Sequence, residues 1–364
     1  MRHMARFHQD LWPIRYKPLE DELLSSWLVR LAHGHGLKVQ SFCNMLYGNK
    51  RQIWNRDIDR LAPQWLLDDL KLHTGATQMQ AEQTTLRIFD GVLVKHYREA
   101  GPLQWIQLMQ MYHRKREGYG QQFCPICLQE DKVSYFRKTW RLAIKTMCLK
   151  HNCMLMDRCP QCDSAVSYHR IGMGQPNHVE FDPLSTCHEC SFDLRAASAK
   201  PVKVYNEEAF DWLRRVVSDI DDFSAGKSVK IDLKEVSLFH HMTAMVSKER
   251  NRYHLGQHVA DMVGADDYVP INTNRVALES YQCHVRNQYM QFAAWLLVDP
   301  QVRLHQACRA RAIRHNFLLR DMKDPPAWYE DCVNNRIATR ARPFFERRHK
   351  INLDSRADEI DLTY

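Results

Sequence analysis

No stretch of the 364 residues is apolar for long enough to cross a bilayer. The longest wholly apolar run, residues 292–298, falls far short of the roughly 20 residues a helical span requires. The N-terminus, MRHMARFHQDLWP, carries charge and histidine where a secretory signal needs a continuous apolar segment. The expectation is a cytoplasmic protein in a reducing compartment. Signatures of catalysis are also missing. There is no H-E-x-x-H, no G-x-G-x-x-G and no G-x-S-x-G. Ala225-Gly226-Lys227-Ser228 ends like a phosphate-binding loop, but the earlier glycine would fall at 221, which is Asp221. His178-Val179-Glu180 matches the H-x-E of zinc deaminases, but the cysteine pair after it follows Thr186 where that signature has proline. Nothing here supports an enzyme, and the expectation is a non-catalytic protein.

A hydrophobic share of 45% and a charged share of 26% are those of an ordinary water-soluble chain, long enough for two or three domains. The net charge of +8 allows nucleic-acid binding without demanding it. Most of that charge is local: residues 303–350 hold twelve Lys/Arg against five Asp/Glu. Arg303, Arg311 and Arg314 fall within about a quadrant at roughly 100° per residue, so a single helix would carry them as a stripe able to follow a phosphate backbone; the competing reading is a solvated face. Arg347 and Arg348, beside Phe344 and Phe345, and the run Arg114-Lys115-Arg116 are further candidate contacts for nucleic acid or an acidic partner.

The fold class expected is mainly α and multi-domain: an N-terminal helical domain over 1–117, tandem zinc-binding modules over 118–195, and a C-terminal helical domain over 204–364. Leu24, Trp27, Leu28 and Leu31 step along one helix face that ends at the glycines of His33-Gly34-His35-Gly36. Helices over 63–73 and 78–86 flank Thr74-Gly75-Ala76-Thr77, a corner compatible with a helix-turn-helix. Residues 196–203 read as a linker, 207–220 as an amphipathic helix and 222–229 as an exposed loop. Asp299-Pro300 reads as a helix start, with Asp as N-cap and Pro at the first helical position.

The densest signal is metal. Cys124 and Cys127 form one C-x2-C turn, and Cys148 with His151 a C-x2-H turn; Cys159 with Cys162 and Cys187 with Cys190 give two more pairs. Eight donors suffice for two tetrahedral zinc sites, one of three cysteines and a histidine and one of four cysteines. A two-residue gap aims both side chains at one cation, and thiolates favour zinc. Both sets have four strong protein ligands, so two structural ions are expected. Cys153, two residues after His151, could replace it, but His151 is preferred because it completes the repeated two-residue gap. Pairing of consecutive turns and an interleaved pairing use the same eight residues. Cys43, Cys283, Cys308 and Cys332 read as buried thiols.

These motifs resemble the TniQ/TnsD family of transposition proteins. FCPICLQEDKVSYFRKTWRLAIKTMCLKHNCMLMDRCPQC is similar to the family's central zinc-binding pattern, and PLEDELLSSWLVRLA, from Pro18 to Ala32, to its N-terminal opening. The family often places glycine after the third cysteine turn, where this chain has Asp163. The resemblance implies an N-terminal helix-turn-helix domain, central zinc-ribbon-like modules and a helical C-terminal part. It also implies a target-selection adaptor without catalytic activity. Such proteins link target DNA, or an RNA-guided CRISPR effector complex, to the transposon's AAA+ ATPase regulator and transposase, in certain cases as a homodimer. The rivals are a zinc-containing transcriptional regulator that reads a fixed operator, and a metal-dependent nuclease with unrecognised carboxylates.

Overall fold

The computed structural model describes residues 11–48, 53–109, 111–112, 115–116, 119–173, 183–248, 253–271 and 277–337. Two compact units divide the chain. The first comprises Met1–Val204, Leu213–Leu233 and Arg275–Gln288, the second Tyr205–Trp212, Lys234–Asn274 and Tyr289–Tyr364.

The first unit opens with helix α1 (Leu24–Gly34), α2 (Val39–Tyr47), the single turn α3 (Ile58–Leu61), α4 (Gln64–Thr74) and the short α5 (Gln78–Glu82). Helix α4 stops where Gly75 supplies the left-handed C-cap at φ 66°, and α5 starts with a capping box in which Thr77 and Gln80 exchange side-chain to backbone hydrogen bonds. Beyond Glu82 the helix expected to continue to 86 gives way to a 3-10 turn at Leu86–Phe89.

Helix α1 departs from a one-sided amphipathic helix, because every residue from Leu24 to Ala32 is buried. Its polar residues are buried because they have partners. Ser26 and Arg30, four residues apart, share a face of α1, and Glu22, in the extended chain just before the helix, reaches both. Glu22 accepts from Ser26 Oγ at 2.9 Å and from Arg30 Nε and Nη2 at 2.7 Å each, and Ser26 Oγ accepts from the Phe136 amide at 3.0 Å. Ser25 meets Asp59, which accepts from its amide at 2.7 Å and its hydroxyl at 2.8 Å.

The segment preceding α1 is held by a histidine with a fixed tautomer. His35 Nε2 accepts from the Ile14 amide at 3.2 Å, so Nδ1 carries the proton and donates to the Leu31 carbonyl at 2.8 Å. Trp12 stacks on His73 at 4.9 Å and meets His35 edge-on at 6.0 Å. Burial pushes the His35 pKa below its ordinary value, against the raising effect of the Leu31 hydrogen bond. A lowered folded pKa means that this stabilisation is present above about pH 6.5 and lost as pH falls through the folded value. Protection of the Ile14 amide against hydrogen exchange, corrected for the intrinsic rate, is therefore expected to fall on acidification, by at most about tenfold per pH unit for one proton. Constant corrected protection from pH 7.5 to 5 would show that the imidazole does not hold this strand of chain.

The cysteine-rich stretch is not a lean module hung beside this helical part. Phe123, Phe136, Trp140, Leu142, Ala143 and Ile144 are all within 1% of complete burial. The backbone bonds to both sides: Leu23 donates to Phe136, Lys138 to Asp21 and Gln107 to Arg141. Residues 196–203 are likewise no free linker, since the Lys200 carbonyl accepts from the Met154 amide at 2.8 Å and Pro201 bridges to Cys153. Strands β1 (Met111–Tyr112) and β2 (Lys115–Arg116) form one antiparallel pair, and β3 (Met147–Cys148) and β4 (Cys153–Met154) another in the register Cys148↔Cys153, with α6 (Pro125–Glu130) between the two pairs in sequence.

Helix α7 (Glu207–Ser224) runs four residues past its expected end. The Ala225-Gly226-Lys227-Ser228 sequence is thus the turn that stops a helix, with Gly226 at φ 81°, and Asp221 lies inside the helix. Then follow α8 (Leu233–Val246), α9 (Leu255–Val263), α10 (Cys283–Val298), α11 (Pro300–Arg309), α12 (His315–Leu318), α13 (Ala327–Asp331) and a π-turn at Cys332–Ile337. At α11 the Asp299 side chain accepts from the Val302 amide and Pro300 occupies the first turn, as the sequence implies. In the second unit Tyr329 is fully buried, its hydroxyl donating to the Leu318 carbonyl at 3.1 Å.

Candidate metal centre

The first cluster is assembled from a helix start and a hairpin. Cys124 is the N-cap of α6, with Pro125 at the first helical position, and the Cys127 amide points at Cys124 Sγ. Cys148 ends β3, and the turn to β4 carries His151 inward. His151 Nδ1 lies 3.4 Å from Cys124 Sγ, 3.3 Å from Cys127 Sγ and 3.4 Å from Cys148 Sγ, while the Cys127 and Cys148 sulfurs are 3.7 Å apart. A zinc–sulfur bond of about 2.3 Å implies tetrahedral sulfur–sulfur edges of about 3.8 Å. The donor set therefore fits a zinc ion. His151 Nε2 points outward to Glu130 Oε2 at 3.1 Å, which orients the ring as carboxylates commonly do behind metal-binding histidines. Hydrogen bonds from Lys150 and then His151 hold the Glu130 carboxyl below its ordinary pKa.

The second cluster joins Cys159, Cys162, Cys187 and Cys190, with edges of 3.6 Å between the Cys159 and Cys190 sulfurs and 3.7 Å between those of Cys162 and Cys187. Ser164, which the sequence did not single out, puts its hydroxyl 3.1 Å from Cys162 Sγ and 3.3 Å from Cys187 Sγ. Consecutive turns thus pair, first with second and third with fourth, and the interleaved alternative is not the one adopted. Cys153 sits at the edge of the first cluster, 3.7 Å from Cys124 Sγ, outside the group of four mutually close donors.

Three of the four turns end the same way. Asn152, Asp163 and Ser191, each following the second donor of its pair, have φ of 47°, 58° and 60°. Asp163 therefore supplies the left-handed residue for which glycine is the usual choice. In the remaining turn Cys127 continues into α6 instead.

The other thiols have a different environment. Burial pushes Cys43 and Cys283 up to about 12 and Cys308 up to about 11, so all three are protonated near neutrality. Cys332 is buried, whereas Cys308 is partly exposed rather than buried.

The basic candidates are placed differently from the expected stripe. Helix α11 ends at Arg309; Arg311 lies beyond it at φ 60° and Arg314 is the N-cap of α12, so the three arginines do not share one helix. Arg303 is held within its unit, donating to the Trp295 carbonyl at 2.5 Å and to Glu208 at 2.8 Å. Lys115 and Arg116 form β2. Arg114, Arg347, Arg348, Phe344 and Phe345 lie outside the described residues, as does His178-Val179-Glu180.

A family model described as TniQ matches residues 13–155. The match covers less than half of the chain and marks residues 13–155 as TniQ-like. The match takes in α1 with its Glu22–Arg30 pair and all four donors of the first cluster; the second cluster lies beyond it. Among curated proteins none matches the chain. The TniQ match supports a transposition-associated role. Among the described residues no helix is long and apolar enough to cross a membrane.

Proposed function

We propose that this TniQ-like protein is a non-catalytic target-selection adaptor for DNA transposition, carrying two structural zinc ions. The observation that carries the reading is the coincidence of the TniQ match with a buried four-donor cluster at its C-terminal end. An ion held by Cys124, Cys127, Cys148 and His151, or by the four later cysteines, has every tetrahedral position filled by protein, which leaves none for an activated water. Zinc here clamps the chain, and binding rather than bond making is the chain's contribution.

On this reading one face engages the target-recognition element, either target DNA itself or an RNA-guided CRISPR complex, and another engages the AAA+ ATPase regulator. The α4–Gly75–α5 corner is the helix-turn-helix of the N-terminal part, followed by zinc-ribbon-like modules and a helical C-terminal domain. Co-purification of the zinc-loaded protein with an AAA+ ATPase of the transposition-regulator type tests the role. Capture of the ATPase without DNA cleavage in magnesium or manganese is expected. Failure to capture it, together with tight operator-like binding about 10^3-fold above random DNA, would identify a transcriptional regulator instead. Metal-dependent cleavage abolished by a single carboxylate substitution would identify a nuclease.

A further inference from the structure

Residues 309–323 of the second unit carry Arg309, Arg311, Arg314, Arg320 and Lys323 against one carboxylate, Asp321. Because α11 stops at Arg309 and α12 is a single turn, this run folds as a series of corners rather than as one helix. Arg314 and Arg320 are exposed, and two half-buried rings lie between them. The Arg314 guanidinium is 5.4 Å from the Tyr253 ring centroid, Tyr253 is 5.5 Å from Phe317 at an interplanar angle of 52°, and the Arg320 guanidinium is 5.2 Å from Phe317. The order in space is cation, ring, ring, cation. Lys248 and Ile313, with Met245, Leu255 and Ala312, join these two rings around a small hollow of about 20 Å³ in which Lys248 is the one charged lining residue.

We propose that Arg314, Tyr253, Phe317 and Arg320 form a docking surface for single-stranded DNA. The charge calls for a polyanion, and the partly open rings call for a ligand with flat apolar faces; a single strand offers both, phosphates for the arginines and unstacked bases for the rings. A duplex keeps its bases stacked inside and would use the arginines alone. The choice of DNA as the strand rests on the transposition role proposed above.

The test is fluorescence anisotropy of a labelled oligothymidylate of about 20 nucleotides with the full-length, zinc-loaded protein, at about 50 and 200 mM salt. Binding is expected to weaken steeply with salt and to fall at least tenfold in the double variant Arg314→Glu, Arg320→Glu, with zinc content and melting temperature unchanged. Lysine at both positions should restore most of it. Phe317→Leu, which keeps an apolar filler, should weaken oligothymidylate roughly 5- to 150-fold while leaving weaker duplex binding unaffected. Wild-type affinity in the charge-reversed double variant would overturn the proposal. So would duplex DNA or oligouridylate binding more tightly than oligothymidylate. ATPase capture is scored on the same preparations. Its absence in the wild type would remove the adaptor reading and leave this surface standing, whereas unchanged oligothymidylate binding in the double variant would do the reverse.

Discussion

Replacing Cys124 by Ser is expected to lower bound zinc from two ions per chain to one and to unfold the first unit well beyond the cluster itself. Apparent binding free energies of about 10–16 kcal/mol for structural zinc near neutral pH exceed the whole stability of a typical domain, about 5–15 kcal/mol. The effect spreads because the residues between the paired turns are core. Phe123 bridges to Met156, Phe136 accepts from Leu23, and Trp140 and Leu142 lie buried beneath them. Excess chelator should act more strongly, since it removes both ions. Urea unfolding with metal analysis on the same samples checks both; a Cys124→Ser protein that keeps two zinc ions and its unfolding midpoint would remove Cys124 from the donor set.

Arg141→Ala is expected to cost about 3–5 kcal/mol, the price of leaving buried carboxylates without their counter-charge. The Arg141 side chain is fully buried, with Nη2 at 2.5 Å from Asp57 Oδ2, Nη1 at 3.2 Å from Asp59 Oδ2, and a further bond to the Gln107 carbonyl. Burial pushes the Asp59 carboxyl up to about 6, with Arg141 pulling in the opposite direction. A raised folded pKa marks stability that is present at low pH and lost as pH rises through that value. Removing the arginine raises Asp59 further, so the variant's deficit should be smaller at pH 5 than at pH 7.5. Urea midpoints for both proteins at both pH values measure it. A deficit that is equal at the two values, or larger in acid, would mean that Asp59 is not the group left uncompensated.

How much of this was legible in the sequence depends on range. Local chemistry was readable. The two-residue gaps named all eight donors that the structure gathers into two clusters, Asp299-Pro300 marked the start of α11, and Gly75 marked the end of α4. Long-range pairing was not. Arg141 sits more than 80 positions from Asp57 and Asp59, and nothing in Trp140-Arg141-Leu142 announces a buried charge with two partners. Ser26 and Arg30 are polar residues on an otherwise apolar helix, and only the structure shows them buried, with Glu22 accepting from both and Ser26 accepting from the Phe136 amide. The arginine stripe failed for a local reason: periodicity was carried past Arg309, where the helix ends. The left-handed residues after three of the four metal turns had a usable signal, since Asn and Asp tolerate positive φ, but Ser191 carried none.

The account rests on two fully protein-ligated zinc ions, and zinc-edge X-ray absorption on the folded wild-type chain, with metal content measured in parallel, tests it most directly. Two ions per chain are expected, sharing seven sulfurs and one imidazole nitrogen at about 2.3 and 2.0 Å with no oxygen shell. Folded protein without zinc, or a coordination shell containing water oxygen, would contradict it.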